Sequence, residues 1–386
     1  MPRHMFYSRL FAGISFLGFT LAVGGTLRLA VAERVWPMAI GNARHFEDLA
    51  QRQPLLASDA LRTAVQLNPR DSTAWMELGL ATEREGDSEQ AADCLLAAEK
   101  VDRQYLPAWT SANFFFRHAN DFQFWRAATR AAAMSYDDPA PLIELADHRE
   151  PDSIAALKRL GDSSHLERGY LRFLIGRSRW REAQEVAARL SLLGDASDRE
   201  LLLNFTDRLI EANEGEAALS AWNGLQQFPA PDRASRGTLV NQNFKRQPSG
   251  QGFDWRVTEP PRGSVHWEPS RLEYWLMGST PDACMLLEQW VMLNSGRYRL
   301  RFDYRTQGLA EETGLRWTLL RGGREEASST VLAQAPRRVQ NGNAAEWNFR
   351  VTKVGLYKLA WTYTRVPGTT HQEGHAELAF ARLEAL

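Results

Sequence analysis

Two hydrophobic periods share this chain, and they change over near residue 230. Before that point, core-type residues recur at helical spacing. Trp75, Leu78 and Thr82 mark one helix, Ala91, Leu95 and Ala98 the next, and "REGDS" makes the turn between them. "YDDPAP" and "REPDS" stop the pattern, which resumes at Trp180, Ala183 and Leu190 and again at Gly215, Ala218 and Trp222. After the polar, Pro-containing break "FPAPDRASRG" (Phe228–Gly237) the period becomes two. In "GRYRLRFDYRT", Tyr298, Leu300, Phe302 and Tyr304 alternate with charged residues, which predicts a strand with one apolar face. Similar runs, separated by turns such as "NSGR" and "RGGR", predict an antiparallel sandwich.

A third pattern opens the chain. Leu10–Leu27 is 18 residues without a charge, preceded by Arg3 and Arg9. That length approaches a membrane span, and the basic flank predicts a cytoplasmic start with the rest exported. Ala30-Val31-Ala32 has the form of a cleavage site, but Arg28 stands between it and the apolar run. An uncleaved anchor is the expectation. The predicted organisation is a multidomain α + β chain: residues 1–36 as cytoplasmic start and anchor, 40–228 as an α-solenoid of helical hairpins, 229–237 as linker, and 238–386 as a β-sandwich.

Composition changes this picture little. The 386 residues carry a formal net charge of −1, which offers no electrostatic reason to expect a nucleic-acid partner. Cys94 and Cys284 fall in different predicted domains, so no disulfide is expected. The chain has no Gly-x-Ser-x-Gly elbow, P-loop, His-Glu-x-x-His helix or Cys-x-x-Cys pair. His371, Glu373, His375 and Glu377 in "HQEGHAE" are the nearest approach to a metal cluster. Gly374 and the strand after it argue for a solvated loop instead. No catalytic residue, metal or cofactor is expected.

The helical region has a more specific character. Trp75 and Trp109 are 34 residues apart, as are Asp87 and Asp121, and Ala98 and Ala132. "STAWMELGLATEREGDSEQAADCLLAAEKVDRQY" places Trp75, Leu78, Gly79, Gly86, Ala91, Leu95 and Ala98 where tetratricopeptide repeats keep such residues, and the region resembles that family. The resemblance implies that each first helix lines a shared surface. By the 34-residue interval, that surface comprises Thr73, Met76, Leu80 and Glu83, then Pro107, Thr110, Phe114 and Arg117. It is either an open groove for a protein segment or a face capped by degenerate repeats. In "NFFFRH" at least one of Phe114, Phe115 and Phe116 must point away from its own hairpin.

The sandwich has its own resemblance. "LVNQNF", "GFDWRV", the long pair around "NSGR" and the closing "EGHAELAFARLEAL" are laid out like the jelly roll of carbohydrate-binding modules. Lys245, Ala379 and Ala381 stand where that family often has the acids of a structural calcium site. Seven of the thirteen tryptophans lie here. "FDWR" sets aromatics beside polar groups, so Asp254, Trp255, Arg256 and Trp267 are the candidate glycan contacts. The competing expectation is that Phe253 and Trp255 pack, that Asp254 pairs with an arginine, and that the segment pins the first strand to the sandwich. Anchor, solenoid and jelly roll together resemble membrane-anchored components of bacterial exopolysaccharide and O-antigen systems. That implies a non-catalytic scaffold in the inner membrane, facing the periplasm, with polysaccharide-assembly proteins as partners and polysaccharide itself as a further candidate. A glycan-binding module on a helical stalk is the alternative; a sugar-active enzyme using a carboxylate such as Asp254 ranks below both.

Overall fold

The computed structural model describes residues 43–53, 56–135, 138–161, 163–225, 228, 232–278, 281–335, 345–365 and 373–386. Leu10–Leu27, Ala30–Ala32 and His371 lie outside these residues. Among the described residues no helix is long and apolar enough to cross a membrane. The chain forms two compact units, the first ending at residue 162 and the second running from Ser163 to Leu386.

The first unit is helical: α1 (43–52), α2 (Ala57–Leu67), α3 (Ser72–Arg84), α4 (Ser88–Val101), α5 (Tyr105–Arg117), α6 (Asp121–Met134), α7 (Ala140–Arg149) and α8 (Ser153–Leu160). Helix starts are set by side-chain caps. Asp71 accepts from the Thr73 and Ala74 amides, Asp87 from Gln90, and Asn120 from Gln123. Between α3 and α4 the turn residue Gly86 has φ +91°, and between α5 and α6 Ala119 has φ +53°. In both turns the same two amides close back onto the first helix. Gly86 and Asp87 donate to Glu83 and Thr82, and Ala119 and Asn120 donate to Phe116 and Phe115.

These turns set a structural period of 33 residues, one less than the interval of the sequence identities: α3 and α5 begin at Ser72 and Tyr105, α4 and α6 at Ser88 and Asp121. At that interval the first hairpin's Leu78, Thr82, Ala91, Leu95 and Ala98 correspond to Ser111, Phe115, Phe124, Ala128 and Ala131, and all ten are buried. The Trp75/Trp109 match is therefore out of register, because Trp109 follows Met76 in the fold.

The second unit begins with α9 (Ser164–Gly176), α10 (Trp180–Leu193), α11 (Arg199–Glu211) and α12 (Gly215–Gly224). The same turn joins these hairpins, with Ser178 at φ +56° and Asn213 at φ +61°, and with amides closing onto Leu174 and Leu209. Ten strands follow: β1 (Arg256–Val257), β2 (Ser264–Glu268), β3 (Arg271–Leu276), β4 (Ala283–Leu293), β5 (Gly296–Gln307), β6 (Leu315–Arg321), β7 (Arg324–Ser328), β8 (Ala345–Val351), β9 (Gly355–Thr364) and β10 (Gly374–Ala385). They form two five-stranded sheets, β1-β4-β9-β6-β7 and β2-β3-β10-β5-β8, with every pairing antiparallel. From β3 to β6, and again from β7 to β10, successive strands pass from one sheet to the other, as in a jelly roll. Trp317 and Trp361 stack in the core, where Tyr274 and Phe302 of the opposite sheet meet them edge-on. Cys94, buried in the first unit, and Cys284 on β4 are both free thiols.

The break at 229–237 does not separate compact units. Where it is described it is strapped to α12: the Trp222 indole donates to Asp232 O, and the Asn223 amide exchanges two hydrogen bonds with Ala234. The last two helical hairpins therefore belong with the sandwich.

Candidate functional site

Two places carry the residues that the sequence singles out. The first is the first-helix face of the N-terminal unit. Thr73 and Arg117 are exposed, and Leu80, Glu83 and Thr110 are half-buried. Met76, Pro107 and Phe114 are buried. They cannot line a surface, and for Pro107 and Phe114 the reason is the one-residue register error. At the structural interval, the α5 partners of Thr73, Met76, Leu80 and Glu83 are Leu106, Trp109, Asn113 and Phe116. Leu106 is 56% exposed, and the other three are half-buried. The run of turn residues with positive φ was the missing signal, and only Gly86 announces it in sequence.

Arg117 reaches from α5 to α3 and clamps both carboxylate oxygens of Glu83, the shorter contact being 2.7 Å. His118 Nε2 lies 2.9 Å from the same carboxylate, and the His118 ring packs 4.3 Å from that of Phe114. Burial pushes the Glu83 carboxyl up, but the hydrogen bonds from Arg117 and His118 outweigh it and hold the group below its ordinary range. Farther along, the Arg149 guanidinium of α7 lies 4.8 Å over the Phe116 ring and donates to the Phe116 carbonyl. Trp109 stacks on Tyr105 with nearly parallel rings. The face thus combines fixed charges, stacked aromatics and an exposed leucine.

The second place is "GQGFDWRV", residues 250–257. Trp255 is fully buried, with Phe244 and Trp317 at 5.6 and 6.4 Å between ring centroids, and its indole donates to Asn241 O. With no ring face at the surface, it is core and not a stacking platform for sugar. The Trp267 indole donates to Phe244 O, so the two tryptophans hold the "VNQNF" turn, where Asn241 and Phe244 both have positive φ. Asp254 is buried too, but among the described residues no arginine forms an ion pair with it; its carboxylate accepts the Ser249 and Trp255 amides.

The arginine contact belongs to Arg256, and its partner is on a helix. Arg256 Nη2 donates to Asp207 of α11 at 2.6 Å, and its Nη1 donates to Gly252 O. The Gly252 amide donates to the same Asp207 oxygen at 2.8 Å. Burial raises the Asp207 carboxyl above its usual range, against the pull of the Gly252 amide and Arg256. Phe253 meets Trp222 of α12 edge-on at 6.2 Å. The stretch therefore fastens the last helical hairpin to the sandwich, with Trp255 anchored in one and Phe253 and Arg256 reaching the other. Asp207 does not stand out in sequence, and Trp222 does so only as a helix-core position, because each pairs across more than 30 residues.

Among the described residues no group of three or more His, Cys, Asp or Glu side chains is placed to hold a metal ion. No protein-family model and no curated protein matches the chain. Among solved structures, one published as "Functional Characterization of Pseudomonas Aeruginosa pilF" is similar over 51% of this chain and 78% of its own length, at 14% identity. Its TM-score is 0.24, a superposition too loose to carry an argument.

Proposed function

We propose that the chain is a non-catalytic, membrane-anchored scaffold that supports envelope polysaccharide assembly or export by docking proteins on its helical repeats. The observation that carries this reading is the α3/α5 face. Stacked hairpins that bury Met76 and Phe114 still leave Leu106 largely exposed at the start of α5, the helix that ends in the Glu83–Arg117 clamp. An exposed apolar side chain and a fixed ion pair at the two ends of one helix suit an extended or helical protein segment better than a small substrate. Anchoring through Leu10–Leu27 in the bacterial inner membrane, with the bulk in the periplasm, rests on the apolar run and its basic flank. The link to polysaccharide rests on the resemblance of the domain combination.

The test is affinity purification of the full chain from its native membrane, comparing wild type with Leu106→Glu and with Arg117→Glu. Loss of the same membrane partners in both variants, each still folded and unfolding cooperatively, supports docking at this face. Retention of every partner in both overturns it.

A further inference from the structure

Strand β8 is an edge of its sheet, whose order is β2-β3-β10-β5-β8. It pairs with β5 without a bulge, from Val351 opposite Gly296 to Ala345 opposite Phe302. Trp347, Phe349 and Val351 turn into the core, so Glu346, Asn348 and Arg350 turn outward. The direction of their backbone groups follows from the neighbouring strand. The Leu386 amide donates to Arg297 O, so Arg297, Arg299 and Arg301 direct their backbone groups toward β10. They are therefore the non-hydrogen-bonded partners of Arg350, Asn348 and Glu346, whose own N–H and C=O groups point away from β5. Among the described residues nothing pairs with those groups.

The charges along this edge are unevenly met. Glu346 lies 3.5 Å from Arg299 and 3.3 Å from Arg301. Arg297 and Arg350, both exposed, stand directly opposite each other in the closer kind of antiparallel pair, and among the described residues neither meets a carboxylate. Like charges so placed destabilise a sheet unless something compensates them. The edge also lacks the protection that the other sheet's edges have. There β1 is only two residues long, and β7 carries Arg324, Glu325 and Glu326 beside a shift in register, whereas β8 has neither Pro nor bulge.

We propose that β8 pairs antiparallel with β8 of a second copy of this chain, about a two-fold axis at Asn348, so that two five-stranded sheets become one. The order Ala345-Glu346-Trp347-Asn348-Phe349-Arg350-Val351 is complementary to itself when reversed. In that register Glu346 faces the partner's Arg350, Trp347 faces the partner's Phe349, and the two Asn348 residues face each other. Each Arg350 gains the carboxylate it lacks, and the outward-pointing backbone groups of Glu346, Asn348 and Arg350 find their partners. This is the isologous fit that a two-fold dimer requires. A foreign strand of uniformly acidic character would answer Arg350 but set a like charge against Glu346. The β5 arginines do not oppose the contact. They lie two strand spacings, about 10 Å, from the other copy's β8, beyond the screening length of about 8 Å at physiological salt. The contact uses no residue of the α3/α5 face.

The test is the oligomeric state of the full chain in an uncharged detergent, followed by sedimentation from about 1 to 100 µM. The expected result is a wild-type dimer. Glu346→Arg alone and Arg350→Glu alone each weaken it by about tenfold or more, because each sets like charges at both ends of the seam. An equimolar mixture of the two variants restores it, since opposite charges then meet at both ends. Asn348→Pro also weakens it by about tenfold or more, while keeping the fold, because the N–H it removes points away from β5. Each variant is checked for cooperative unfolding, and Arg350→Glu and Asn348→Pro carry the test if Glu346→Arg does not fold. The proposal is overturned by a wild type that stays monomeric across the range, by a dimer undiminished in Arg350→Glu and Asn348→Pro, or by a mixture of two folded variants that stays monomeric.

Discussion

Asp207 on α11 and Arg256 on β1 form a hydrogen-bonded ion pair at 2.6 Å, with both side chains about three-quarters buried. Half-buried pairs of this kind cost most when one partner is removed, since the other keeps its desolvated charge. Arg256→Met should lower the stability of the full chain by about 2 kcal/mol. The double variant with Asp207→Asn should lose less than the sum of the two single changes, by about 1 kcal/mol. Denaturant unfolding of all four chains measures the coupling; strict additivity would mean that the pair fastens nothing.

Gly252 sits at φ +55°, and a Cβ there would overlap the Trp222 ring. Gly250, at φ +74°, faces open space. Gly252→Ala therefore combines left-handed strain with a steric collision and should cost about 3 kcal/mol or more. Gly250→Ala carries the strain alone, about 1 kcal/mol. Equal unfolding midpoints for the two variants would contradict the close approach of α12.

Trp255 contacts Phe244 and Trp317 with no exposed surface. Trp255→Ala should cost about 3–5 kcal/mol, as for other buried aromatics truncated to alanine. Phe122→Ala, at a side chain 77% exposed, should change stability by less than about 0.5 kcal/mol. Thermal unfolding ranks the pair directly.

Gly86 and Ala119 occupy the same turn position, both at positive φ. Gly86→Ala should destabilise by roughly 1 kcal/mol, whereas Ala119→Gly should stabilise by a similar amount. Opposite shifts of the unfolding midpoint are expected. Shifts of the same sign would show that the two turns are not equivalent.

The hydrogen bonds of Arg117 and His118 hold the Glu83 carboxyl below its unfolded value despite partial burial. A lowered acid contributes stability that is complete above its unfolded pKa and lost as pH falls through its folded pKa. Wild type should therefore lose this increment on acidification below about pH 4.5, the ordinary value of a glutamate. Glu83→Gln should be less stable than wild type at pH 7, with the gap closing toward pH 3. Unfolding curves at both pH values decide it.

Much of the architecture is legible in the residues. Helical spacing at Leu78, Ala91 and Leu95 and alternation at Tyr298, Leu300 and Phe302 are local periodicities, and each reports one buried face. The 34-residue interval was misleading because Trp75 and Trp109 are identical without being equivalent. The true spacing depends on turn residues, of which Ala119, Ser178 and Asn213 have no glycine to mark them. The opposed arginines escaped for another reason: Arg297 and Arg350 are far apart in the chain and meet only because β5 pairs with β8.

What the sequence determined by itself is the kind of element in each region, since one apolar face per helix or strand must be buried wherever it goes. Only the tertiary structure decided that the break at 229–237 does not part the compact units, and what "FDWR" does. Both follow from Asp207 and Trp222, whose partners Arg256 and Phe253 are distant in sequence and adjacent in space. Burial and ion pairing depend on that proximity, which a local pattern cannot encode.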